Sequence, residues 1–237
     1  VDRHTRLIAV SLVSNVNGFR IDVQALSSLA HDHGALLYAD IIQAAGAVPI
    51  DVRAMGIDLA ACSTFKWLMG VKGFGFLYVR ENLQGDVVKP TQHCGGVALN
   101  YAPWTAAPEP GLPEVRWAPV TGPARYEVSY PSYEGAVCAQ ESLRYREALG
   151  VHRIRAHARE LTRRLQEELP ALGYPSITPR DNDSPIVAFV AADPEQTLAR
   201  ARQAGVHVAL RFGNKLRLSP SVYNNHDDVD RLLRALR

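Results

Sequence analysis

Cysteine is scarce in this chain: 237 residues hold three, Cys62, Cys94 and Cys138. Three thiols so far apart make neither a disulfide framework nor a zinc spacing. Unpaired thiols fit a reducing, cytoplasmic setting. A dominant charge is missing too, since 26 basic residues face 24 acidic ones for a net +2. That balance gives no attraction for nucleic acid or an anionic membrane surface. No uninterrupted apolar run approaches the ~20 residues of a membrane-crossing helix. The opening stretch, VDRHTRLIAV, has no signal-peptide pattern. It also lacks a starting Met and soon enters a strand-like run, which reads as the interior of a longer chain. What is present is a 47% hydrophobic composition. That is enough for a sizeable core, in one large domain or one domain plus a smaller piece.

The apolar runs come in an order that specifies a fold class. LIAVSLV (7–13) reads as a buried strand ending at Ser14 and Asn15. Asp22 is placed to cap a helix that runs to about His33 and stops at Gly34. ALLYAD (35–40), IDLAACS (57–63) and FGFLYV (74–79) read as further strands. Strand, helix, strand in this rhythm predicts a mainly parallel sheet covered by helices, an α/β fold. In such a sheet the C-terminal strand ends gather on one rim. Asn15, Asp40, Ser63 and Lys66 all fall there. Residues 84 to 131 are rich in Pro, Gly and aromatics and read as loops and short strands. Helical periodicity returns at Tyr133. Val151, Ile154, Ala158, Leu161, Leu165 and Leu169 then form one apolar stripe. The remainder reads as a small α+β unit, with strands in PIVAFV, VHVAL and KLRLS and a last helix opening with Asp227 and Asp228. The domains are expected at 1–140 and 141–237, with the boundary inside a helix.

Lys66 stands in "ACSTFKWLMG" with almost nothing charged around it. Either its stem lies on the surface with the ammonium in water, or its amine does chemistry that benefits from a lowered pKa. A lysine on the sheet rim with an aspartate on a neighbouring strand is what pyridoxal phosphate (PLP) needs. The lysine forms a Schiff base with the aldehyde, and the carboxylate keeps the pyridine nitrogen protonated. Each residue also has a plainer reading. Asp40 could cap a helix, Gln43 and Ser63 could satisfy turn backbone, and Arg217 could be a structural arginine on an edge strand. Gly70 to Gly75 precedes a strand rather than a helix, so it reads as turn glycines and not as a phosphate loop. His31 and His33 have no further ligands near them in sequence, and no metal site is expected. The His93–Cys94 pair likewise reads as part of a hairpin.

The stretch "YADIIQAAGAVPIDVRAMGIDLAACSTFKWLMGVKGFGFLYVRENL" resembles the central signature of class V aminotransferases. These are fold-type I PLP enzymes that include cysteine desulfurases, selenocysteine lyases, kynureninases and isopenicillin N epimerases. The resemblance continues in "VSLVSNVNGFRID", "RYEVSYPSYEGA" and "LRLSPSVYNNHDDVDRLLRAL", nearly the whole chain. It implies a large PLP domain, of which this chain holds the C-terminal part, followed by a small C-terminal domain. It also implies an amino acid substrate and a homodimer with the active site near the subunit interface. By the resemblance, Lys66 is the Schiff-base lysine and proton shuttle, and Asp40 pairs with the ring nitrogen. Gln43 bonds the phenolic oxygen, Ser63 the phosphate, and Asn15 lies by the cofactor or the substrate carboxylate. Arg217 takes the substrate α-carboxylate, a task suited to a planar guanidinium. Its face of the strand would look toward Lys66.

Three departures from the family's pattern stand out. Phe65 replaces the usual histidine before the lysine. Ser129-Tyr130 stands where a Gly-Thr pair commonly reaches the partner subunit's phosphate. Family members run to about 400 residues, a length that leaves room for a preceding segment. By the resemblance, that segment supplies the ring-stacking aromatic and a phosphate-binding helix N-terminus. Desulfurases need a nucleophilic cysteine before the C-terminal arginine, and "GVHVALRFGNKLRLS" has none. Transamination, β-elimination from a cysteine conjugate, racemisation and decarboxylation all stay open. So does a non-catalytic member that keeps the fold for assembly.

Overall fold

The computed structural model describes residues 1–91, 122–127 and 131–237, and the backbone of 97–99 and 117–119. Its first unit is a four-stranded sheet in the order β1-β2-β3-β4. The strands are β1 (Leu7–Ser11), β2 (Leu36–Asp40), β3 (Leu59–Ser63) and β4 (Gly75–Val79). β1, β2 and β3 run parallel, so Asp40 and Ser63 end neighbouring strands on the same rim. β4 pairs antiparallel with β3, Ser63 facing Gly75. The reason lies in the connection: residues 64–74 contain no helix, and a parallel return needs a longer crossover. Helix α1 (Val23–Asp32) begins where Asp22 accepts the Ala25 N–H at 3.0 Å. It ends before Gly34, whose φ of +68° favours glycine.

Alternation along the strands separates the two sheet faces. Leu37, Ala39, Ala60 and Cys62 turn into a core shared with Val23, Ala30 and Ile57. Tyr38, Asp40, Ala61 and Ser63 point the other way and are half-buried. Asp40 and Ser63 therefore sit on the face opposite α1.

Two further strands, β5 (Val97–Leu99) and β6 (Trp117–Pro119), form an antiparallel pair. The chain then enters α2 (Tyr133–Leu149), turns at Gly150 and continues as α3 (Val151–Glu168). The second unit is an antiparallel sheet in the order β7-β9-β8. Its strands are β7 (Val187–Val190), β8 (Ala209–Arg211) and β9 (Lys215–Leu218). Helices α3, α4 (Pro194–Gln203) and α5 (His226–Leu236) accompany it. Leu161, Leu165, Leu169, Phe189, Leu216 and Leu233 form its core. Five of the six predicted stripe residues of α3 and its following turn are buried, and Val151 is half-buried. α5 starts one residue before Asp227, at a capping box made by Asn225 and Asp228.

The loop after β1 fastens the two units together. Asn182 accepts the Arg20 N–H at 2.7 Å and donates to the Gly18 carbonyl at 2.6 Å. Thr178 donates to the Asn17 carbonyl at 2.5 Å. Arg20 and Arg155 converge on Asp183. Gly18 is required there: a Cβ would lie 2.0 Å from the Ile186 carbonyl oxygen.

The far end of the sheet is held by charge. Asp58, 1% exposed, accepts the Leu37 N–H at 2.8 Å and the His31 ring N–H at 2.8 Å. Arg80 lies 3.1 Å from its other oxygen. His31 thus ties α1 to the sheet, and among the described residues no group of metal-ligating side chains forms. Asp58→Ala would leave the Arg80 guanidinium, the His31 ring N–H and the buried Leu37 N–H without their partner, and should cost about 1–3 kcal/mol in chemical denaturation. A loss below about 1 kcal/mol would show that the cluster carries no stability.

Candidate active site

Asp40 closes β2 and opens a compact turn over residues 41–48. Its Oδ1 accepts the Ile42 N–H at 3.0 Å. The plainer reading of Asp40 as a turn partner is therefore met by one oxygen, while Oδ2 makes no hydrogen bond among the described residues. Gln43 lies inside the turn, 6% exposed, and its amide also makes none there.

A second turn carries Lys66. Thr64 closes it: its N–H donates to Phe74 O at 3.0 Å and Gly70 N–H returns to Thr64 O at 2.8 Å. The Thr64 hydroxyl lies 3.1 Å from the carbonyls of both Val71 and Phe74. Gly70 must be glycine, because a Cβ would meet the Thr64 side chain at 2.6 Å. Trp67 and Leu68 are buried in the core of the first unit and pin the turn from below. Gly46, at φ +88°, brings the Gln43 turn against the Trp67 carbonyl. The greasy neighbours of Lys66 therefore have a structural task of their own. They hold the turn down and leave the lysine half-buried above it, its Nζ 5.9 Å from the centre of the exposed Phe65 ring.

Burial pushes the Lys66 amine below its ordinary range; Asp40 pulls it back up, and Arg217 pushes it further down. The structure thus brings Asp40, Lys66 and Arg217 into one electrostatic neighbourhood. Arg217 Nη1 donates to the Asn15 carbonyl at 2.8 Å, and its Nε is enclosed without an acceptor among the described residues. Asn15 and Arg217 do meet, but through the Asn15 backbone; the residue itself is exposed. Ser63 shares an open cleft with Tyr38, Asp40, Ala61, Gly75 and Tyr126.

Cys62 faces the other side of the sheet. Burial, reinforced by Asp40, raises its thiol to about 11, so it is held protonated and unreactive. Cys138 is exposed on α2. His93, Cys94, Ser129 and Tyr130 lie outside the described residues. Sequence reasoning missed Thr64, whose signal was its spacing to Gly70. It also missed the Asn182 and Thr178 contacts, which have no local signature.

Removing the charge at Lys66 should relieve a cost of folding. Below its lowered folded pKa the amine is charged in both folded and unfolded protein, and the fold bears the full penalty. Above the ordinary value of 10.5 it is neutral in both, and the penalty vanishes. K66M, without added ligand, should therefore melt higher than the unaltered protein at neutral pH. The gap should close as pH rises. A gap independent of pH would mean that burial does not disfavour this charge.

The model of the class-V aminotransferase family matches residues 1–232. A cysteine desulfurase of Escherichia coli is 28% identical over 256 residues, covering all of this chain and 59% of its own length. An uncharacterized aminotransferase, YcbU, of Bacillus subtilis is 27% identical over 230 residues, covering 97% of this chain and 58% of its own. The apo structure of a cysteine desulfurase from Thermococcus onnurineus superposes with a TM-score of 0.85 at 28% identity, over 98% of this chain and 59% of that one. The chain thus spans about three-fifths of the relatives it matches, and its α/β fold is that of fold-type I PLP enzymes. It belongs to the class-V aminotransferase family.

Proposed function

We propose that the protein is a PLP-dependent enzyme that acts on an amino acid, by transamination or by β-elimination of a sulfur leaving group. One observation carries this reading: a half-buried lysine whose charge is disfavoured stands beside an aspartate at the ends of neighbouring strands. The residues fit the cofactor. An amine with a lowered pKa and, among the described residues, an Asp40 oxygen and a Gln43 amide without hydrogen-bond partners are the donors and acceptors that an aldehyde, a pyridine nitrogen and a phenolic oxygen need. When bound, pyridoxal phosphate supplies an aldehyde that condenses with amines and a ring that draws electrons from the substrate carbon.

The chain's own residues do the rest. Lys66 Nζ would hold the cofactor and is placed to take and return the proton at the substrate Cα. Asp40 Oδ2 would hold a proton on the ring nitrogen. Gln43 and Ser63 would orient the phenolic oxygen and the phosphate. Arg217, fixed at Nη1 by Asn15, keeps the Nε–Nη2 edge of its guanidinium for a carboxylate. An enclosed N–H without an acceptor costs about 1–3 kcal/mol, which a bound carboxylate oxygen would relieve.

The relatives named cysteine desulfurase favour a second reading, removal of sulfur from cysteine. Residues 205–219 offer no thiol for it, and β8 and β9 are joined there by only Phe212, Gly213 and Asn214. Cys62 is inert behind the sheet, which leaves Cys94 and Cys138 as the thiols within these residues that could accept sulfur. We also take the protein to work as a homodimer. Support comes from the apolar side chains left open on α2 and β4, among them Val137, Leu143, Tyr145 and Leu77. The large and small domains are assigned to 1–140 and 141–237.

Protein incubated with PLP should gain a visible absorption band that borohydride bleaches. Peptide mapping should then find the pyridoxyl group on Lys66. Label on another lysine, such as Lys72, would overturn the assignment.

A further inference from the structure

The polar face of the small sheet carries three cations. In the register of β8, β9 and β7, Arg217 lies opposite Ala209 and Ala188, and Lys215 lies opposite Arg211 and Val190. With a side-chain period of two, Arg211, Lys215 and Arg217 share one face. Leu210, Leu216 and Leu218 turn to the core. The cationic face looks to the sheet rim, because Arg217 reaches Asn15 and acts on Lys66. Among the described residues none of Lys66, Arg211, Lys215 and Arg217 forms an ion pair with a carboxylate. Arg211 is also close enough to disfavour the charge on Arg217.

Like charges held this close repel unless an anion comes between them. An α-carboxylate on Arg217 neutralises one guanidinium and leaves Arg211 and Lys215 unanswered. We propose that the site takes an amino acid whose side chain bears a second anionic group, such as a carboxylate, sulfinate or phosphate, with Arg211 as its principal partner and Lys215 beside it. The proposal rests on the reading of Arg217 as the α-carboxylate anchor. Diagonal neighbours on adjacent strands lie about 7–8 Å apart. That spacing, with two flexible arginine stems, suits the two acid groups of a four- or five-carbon chain. Arg211 is exposed and Arg217 half-buried, so the outer cation meets the incoming anion first and steers it.

Glutarate and butyrate separate this proposal from the chemistry, because neither has an amino group to react. Calorimetric titration of the PLP-loaded protein should give glutarate an affinity at least about tenfold above that of butyrate. R211A should bring glutarate to within about twofold of butyrate. Equal affinities in the unaltered protein, no measurable binding of glutarate, or a preference that survives both R211A and K215A would overturn the proposal. R217A is expected to weaken both ligands. If it spares both while the preference still depends on Arg211, the α-carboxylate role falls and the second-anion site stands.

Discussion

Among the described residues, the candidate site depends on holding the Lys66 amine partly out of water beside the carboxylate of Asp40. Burial lowers the pKa of the Lys66 amine, and Asp40 raises it. Their opposition leaves an amine with a lowered pKa that still has a polar partner on the neighbouring strand. That balance needs Lys66 above the rim and not beneath it. Trp67 and Leu68 provide this by filling the core under the turn, while Thr64 closes it from behind.

The rest of the described fold keeps that arrangement in register. Parallel pairing of β2 and β3 puts Asp40 and Ser63 on one rim, and the antiparallel return of β4 starts at Gly75 beside them. The loop after β1 belongs by sequence to the large sheet but is bonded largely to the small unit, through Asn182, Thr178 and Arg217. The arginine proposed to anchor substrate and the lysine proposed to hold cofactor thus sit on separate units joined by a fixed loop. Positioning reacting groups in this way lowers the entropic part of a barrier.

Much of this was legible in the residues. The apolar runs, the Asp22 cap and Gly34 stop of α1, and the placing of Asp40 and Lys66 on one rim follow from local pattern. The resemblance to class V aminotransferases was equally legible, and the family match bears it out. The antiparallel turn of β4 was less so, since an apolar run does not state its direction. The Asp58 cluster was hidden because His31, Leu37 and Arg80 are brought together only by the fold. Asn15 was placed by the cofactor or the substrate carboxylate; its contact with Arg217 uses the Asn15 backbone, which no residue type announces.

The central claim, that Asp40 holds a protonated pyridine ring at this rim, is tested most directly by the ¹⁵N resonance of ring-labelled PLP bound to the protein and to D40N. The account predicts a protonated ring nitrogen in the unaltered protein. In D40N it predicts a deprotonated one, with turnover slower by at least about a hundredfold. A neutral nitrogen beside intact Asp40, or a protonated one in D40N at undiminished rate, would contradict it.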